Sequence, residues 1–119
     1  MDNGGYMKII SNKITKKELF ENSDHIIEES FVKAVVDIDK RIIAIDAEMH
    51  ADLEKYLLDN GSKQTELWGI NFHTEDDEDF VEFDSLINIR PRQNKHLYID
   101  DENIRAKILE VVDEWILTI

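Results

Sequence analysis

Apolar and polar positions along the chain recur with two periods, two and about 3.6 residues, and the switches between them outline the elements. Residues 6–10 alternate and predict a short strand. Thr15-Lys16-Lys17-Glu18 is a capping-box pattern, with Thr15 as N-cap, and predicts a helix whose inward residues are Leu19, Ile26 and Ile27. Residues 31–38 and 41–45 are rich in β-branched side chains and predict a hairpin across Asp39-Lys40, although no glycine there supplies a positive φ. Leu53, Tyr56 and Leu57 form a helical stripe within residues 50–60, and Gly61 stands where a left-handed C-terminal cap belongs. Residues 67–73 predict a strand with Trp68, Ile70 and Phe72 on one side. Residues 80–90 predict a long strand, with Val81, Phe83, Ser85, Ile87 and Ile89 facing one way. Glu82, Asp84, Asn88 and Arg90 face the other, and Leu86 is out of phase. Pro91 closes that strand, and a last helix follows with Asp100 as N-cap and Ile104, Ile108, Val111 or Val112, Trp115 and Ile119 as its stripe.

The succession is therefore β-α-β-β-α-β-β-α. Two hairpins argue for an α+β domain with a mainly antiparallel sheet and helices packed on one face, rather than a doubly wound parallel sheet. Residues 1–6 read as a flexible leader and residues 7–119 as a single α+β domain. The length of 119 residues suits one domain able to bury a core.

Charge narrows the function classes. Lys plus Arg number 14 and Asp plus Glu 27, for a net charge of −13. Such a surface repels phosphate backbones and anionic lipid, so neither nucleic acid nor membrane is an expected partner. A partner protein with a basic surface is the expected one. There is no cysteine, which excludes disulfide and thiolate chemistry and fits a reducing compartment. No apolar run has the length of a membrane span, and the first residues lack the basic and apolar regions of a signal peptide, so a cytoplasmic location is expected.

Four constellations can carry chemistry. The outward face of the last hairpin gathers Asn71, His73, Glu82, Asp84, Asn88 and Arg90, a mixture of amide, imidazole, carboxylate and guanidinium able to orient a proton or hold a cation; it is also what the wet face of any antiparallel sheet looks like. Glu48, His50 and Asp52 lie on one side if the segment is extended, a possible ligand set without the second imidazole of a zinc motif; they equally suit the start of a helix, where they would satisfy free amides. Arg90 and Arg92, with Lys95, make the one locally basic stretch and can fork a carboxylate or phosphate, or simply balance nearby acids. Residues 75–84 carry seven acids and no base. This loop lacks the glycine and bidentate glutamate of a calcium-binding EF-hand; it reads as a docking epitope or as a repelling tip that protects the hairpin from edge pairing. A phosphate-cradling glycine loop and a nucleophile elbow are both missing, and Gly69 beside Trp68 signals a bulge or a close backbone approach.

The strings His50-Ala51-Asp52, Asp59-Asn60-Gly61-Ser62-Lys63-Gln64, Leu67-Trp68-Gly69-Ile70-Asn71 and Glu82-Phe83-Asp84-Ser85-Leu86-Ile87-Asn88-Ile89-Arg90-Pro91 resemble a small bacterial family known as a domain of unknown function. Trp-Gly-Ile-Asn and Ile-Asn-Ile-Arg-Pro are the most specific parts, and the resemblance runs from about residue 7 to 116, with residues 21–30 as a departure. It implies a bacterial cytosolic protein and brings no activity, substrate or cofactor.

The leading functional expectation is an acidic protein-interaction module. The alternative is a divalent-metal hydrolase in which Glu48, His50, Asp52 and Asp84 hold the ion and Arg90 clamps an anionic substrate; a further one is an acidic inhibitor or immunity-type protein. No catalytic residue, metal ligand set or organic cofactor is assigned by any motif.

Overall fold

The computed structural model describes residues 7–27, 30–73 and 79–117. Among them run strands β1 (Lys8–Ile9), β2 (Ile14–Thr15), β3 (Ile26–Ile27), β4 (Phe31–Asp37), β5 (Ile42–Ile45), β6 (Leu67–His73), β7 (Val81–Glu82) and β8 (Ile116–Leu117). The helices are α1 (Lys16–Glu21), α2 (His50–Asp59) and α3 (Glu102–Trp115). The expected succession is there, with the two-residue strands β2, β3 and β8 added. The class is α+β, and the main sheet, ordered β1-β5-β4-β6-β7 with β3 also on β4, is antiparallel at every pairing. Two-residue β2 and β8 pair in parallel.

One expectation is corrected: the helices do not share a face. Val32, Ala34 and Val36 of β4 align with Ile43, Ile45, Trp68, Ile70 and Phe72 under Leu19 of α1 and Ile108, Val111 and Val112 of α3. Val35, Ala44 and Leu67 point to the opposite face, under Leu53 and Leu57 of α2. The cause is in the strands. Central β4 and β5 are apolar at consecutive positions, Ala34-Val35-Val36 and Ile43-Ala44-Ile45, and a strand that is apolar on both faces needs cover on both.

Local chemistry sets the element ends. Thr15 caps α1 as expected, its Oγ1 accepting from the Glu18 amide at 3.1 Å while Glu18 Oε1 accepts from the Thr15 amide at 2.9 Å. The helix is shorter than expected, because Ser23 Oγ donates to the Leu19 carbonyl at 2.7 Å and closes its last turn. Ile26 and Ile27 consequently pair with Val32 and Phe31 in β3 rather than line a helix. The hairpin turn lacks glycine but has Asp37, whose Oδ1 accepts from the Asp39 and Lys40 amides at 2.9 Å each; Arg41 takes the left-handed conformation at φ 57°. The Arg41 guanidinium pairs with Glu114 and its carbonyl accepts from Trp115 Nε1 at 2.9 Å, so the turn is tied to α3. Gly61, at φ 95°, ends α2 in the conformation glycine permits. The N-cap of α3 is Asp101, one residue later than expected: the Asp100 amide is held by Asn94 Oδ1 at 3.0 Å, whereas Asp101 Oδ1 accepts from Asn103 at 2.8 Å. Ile119, the leader 1–6 and acidic residues 75–78 lie outside the described residues. Among the described residues no helix is long and apolar enough to cross a membrane.

Candidate functional site

The long strand expected over residues 80–90 is not continuous. It pairs with β6 at Val81 and Glu82, with the His73 amide donating to the Phe80 carbonyl at 2.8 Å, and the chain then lifts away into a 3-10 turn, Leu86–Asn88, begun by Ser85 Oγ accepting from the Ile87 amide at 3.3 Å. The sheet edge it leaves behind is completed by a side chain. Asn88, fully buried, accepts from the Gly69 amide through Oδ1 at 2.8 Å and donates to the Gly69 carbonyl through Nδ2 at 2.9 Å. Glycine is required opposite: a Cβ on residue 69 would stand 2.6 Å from both Cβ and Oγ of Ser85 and 3.1 Å from His50 Cδ2. This is the close backbone approach that Gly69 signalled.

Arg90 is likewise an interior residue. Its guanidinium donates to the carbonyls of Gln64 at 2.8 Å, Ile87 at 3.1 Å and Leu67, and stacks 4.3 Å over the Trp68 ring. Burial pulls its pKa down, with Glu54 and Glu66 opposing. Arg92 is exposed at φ 73° in the tight turn closed by Asn94 on Arg90. The fork of Arg90 and Arg92 therefore does not exist, and neither Asn88 nor Arg90 belongs to a wet sheet face: both spend their hydrogen bonds on backbone groups that would otherwise be buried without partners.

Five of the expected site residues do come together, His50, Asn71 and Asp84 in one cleft with Glu82 and His73 beside Asn71. Lys33, Asn71 and Glu82 form one cross-strand row, and α2 brings in His50 while the chain beyond β7 brings in Asp84. With Phe31, Met49, Ala51, Leu86, Ile87 and Leu97 as walls, His50, Asn71 and Asp84 line a cleft of about 290 Å³. His50 Nε2 lies 2.8 Å from the Ile70 carbonyl, which can only accept, so this nitrogen carries the proton and Nδ1 keeps its lone pair in the neutral ring. Burial lowers the His50 pKa, against the raising effect of its Ile70 hydrogen bond and the Asn71 amide.

Asn71, 5% exposed, donates from Nδ2 to Glu82 Oε1 at 2.8 Å and to the Asp84 carbonyl at 3.1 Å. Both partners are acceptors, which fixes the amide orientation. Asn71 Oδ1 is then left buried with no partner among the described residues. Glu82 Oε1 also lies 3.2 Å from His73 Nε2, and the His73 ring packs 5.4 Å from Phe31. Desolvation, and then the Glu82 charge, push the Asp84 pKa up. Lys33 also lines the cleft, its Nζ donating to the Glu48 carbonyl at 2.8 Å, and its charge adds to the lowering of the His50 pKa.

Glu48 and Asp52 are exposed and belong to a separate cleft of about 180 Å³, shared with Met7, His25, Asp46 and Ala47. Among the described residues no three His, Asp or Glu side chains meet as a metal-ion cluster, so the set Glu48, His50, Asp52 and Asp84 does not converge on one point. Sequence reasoning missed the pair at the heart of that second cleft. Asp46, fully buried and at φ 78°, accepts from the His25 amide at 2.8 Å and the Asp24 amide at 3.0 Å, and lies 3.2 Å from His25 Nδ1. Its only local signal is an aspartate ending an apolar run, a residue type that tolerates the left-handed region.

A family model described as "Protein of unknown function (DUF5674)" matches residues 8–115, and the chain belongs to that family. No curated protein and no solved structure matches it.

Proposed function

We propose that this DUF5674 chain is a binding module, and that it docks a basic segment of a partner protein in the cleft between β6, the start of α2 and residues 84–97. The observation that carries this reading is where large apolar side chains are left in water. Met49, Leu86 (76% exposed) and Leu97 stand around one cleft, and Ile89 and Tyr98, also exposed, belong to the same stretch of chain. Apolar side chains gathered in this way mark contact surfaces, whereas scattered ones mean little. The net charge of −13 supplies the sign of the partner, since complementary fields speed encounter and exclude like-charged competitors. A reducing bacterial cytoplasm is the compartment we assign, in keeping with a chain free of cysteine.

Selection of displayed random peptides on the full chain tests the reading. Enriched peptides are expected to combine Lys or Arg with apolar neighbours, and to lose binding to the double variant Leu86→Asp, Leu97→Asp. Enrichment of acidic or neutral peptides, or equal binding to the variant, overturns it.

A further inference from the structure

We infer that the floor of the cleft, where Asn71 Oδ1 is buried without a partner beside Asp84 and His50, is a receptor for the side-chain ammonium of a partner's lysine. This deepens the docking reading and rests on it. Beside Ser85 and Lys33, the cleft lining holds three acceptors: the free Oδ1 of Asn71, the carboxylate of Asp84 and, in the neutral ring, His50 Nδ1. A buried acceptor left unsatisfied is costly, so a ligand that donates to it recovers more than an ordinary surface hydrogen bond would. An anion would meet these lone pairs head-on, which favours a donating ligand over phosphate or carboxylate.

Among donors, an ammonium matches best. It offers three N–H groups from a single point, on a four-carbon stem that lies comfortably along apolar walls. Those walls are Phe31, Met49, Leu86 and Leu97. Guanidinium is planar and would spend a pair of its donors on the Asp84 carboxylate alone, whereas an ammonium divides its three among separate acceptors. The local charge agrees: Asp84 and the adjoining Glu82 outweigh Lys33, whose ammonium is tied to the Glu48 carbonyl at 2.8 Å. The lifted Asp84 pKa is consistent, because a carboxylate desolvated beside another acid is one that a cation relieves.

The test uses n-butylammonium, the lysine side chain without its backbone, against 1-butanol and n-butylguanidinium, in an NMR titration of the isotope-labelled full chain at neutral pH. Saturable shifts are expected at the Asn71 side-chain amide and at the backbone amides of Ala51 and Leu86, with 1-butanol weaker by about tenfold or more. Asp84→Asn, at a half-buried position, should keep the spectrum of a folded chain and weaken n-butylammonium by a similar factor. Equal response to 1-butanol, tighter binding of n-butylguanidinium, or shifts indifferent to Asp84→Asn overturns the inference. The two readings fail separately. Selected peptides that bind this cleft but tolerate acetylation of their lysines sink the ammonium receptor and leave docking intact. Peptides that bind elsewhere, while n-butylammonium still shifts Asn71, sink the docking reading and leave a receptor for free amines.

Discussion

Asn88 closes both of its amide atoms on the backbone of Gly69, at 2.8 and 2.9 Å, and so acts as the missing strand at the edge of β6. Nearly everything that shapes the cleft follows from this contact. It lets the chain leave the sheet after Glu82, puts Ser85 on the bare Cα of Gly69, and hangs Leu86 over the opening.

Removing the contact should be expensive. Asn88→Ala strands two buried backbone groups and is expected to destabilise the fold by about 3 kcal/mol, read as a lower urea midpoint at unchanged slope. Gly69→Ala should act through a clash instead, since its Cβ would meet Ser85 Cβ and Oγ at 2.6 Å. Ser85→Gly in the same chain then recovers part of the loss, a coupling that a double-mutant cycle measures. Additive effects would show that the two residues do not press on each other.

His50 sets a pH dependence. Its pKa is lowered by burial from the ordinary 6.5, so the unfolded chain holds a proton that the folded one releases. The stability it contributes is therefore fully present above about pH 6.5 and declines below it, by at most about 1.4 kcal/mol per pH unit, until the folded-state pKa is passed. His50→Gln keeps an N–H for the Ile70 carbonyl without a titration, and urea midpoints between pH 7 and 5 should vary less with pH in that variant than in the parent chain.

Asp84 works in the opposite sense. Desolvation and Glu82 raise its pKa from 3.8, so its favourable contribution is greatest below that pH and is lost as pH rises through the raised value. Ionisation of this side chain is thus a burden on the fold. Asp84→Asn is expected to leave the melting temperature unchanged or higher at pH 7 while weakening the amine probe. A lower melting temperature would instead make Asp84 a structural residue.

Asp46 separates backbone strain from hydrogen bonding. Relieving its left-handed φ with Asp46→Gly is worth about 1 kcal/mol, whereas the lost bonds to Asp24 and His25 are worth about 2–3 kcal/mol. Both Asp46→Gly and Asp46→Ala should therefore be destabilised in chemical denaturation, the alanine variant more. An Asp46→Gly chain as stable as the parent would contradict the order of these effects.

Much of this was legible in the sequence where the signal is local. Thr15 and Glu18 sit three residues apart and cap each other; Gly61 ends α2; Trp68, Ile70 and Phe72 alternate on one face of β6. Asn71 lies on the strand expected of it, whereas Asp84 stands beyond the end of β7, off the expected strand. What stayed hidden is polar side chains spent on distant backbone. Asn88 reaches Gly69 across 19 residues, Arg90 reaches Gln64 across 26, and Asp46 reaches His25 across 21. Such a residue looks like a wet-face residue until the fold shows which carbonyl or amide it serves. The second face of the sheet was hidden for a related reason: Val35 and Ala44 break the two-residue alternation, and only the packed α2 shows that they are covered.

The most direct measurement is an intermolecular NOE experiment on the labelled full chain bound to a lysine-containing peptide from the display selection. The account predicts contacts from the lysine δ- and ε-methylene protons to Phe31, Leu86 and Leu97, and a shifted Asn71 side-chain amide. A bound peptide whose lysine protons contact none of these residues would contradict it.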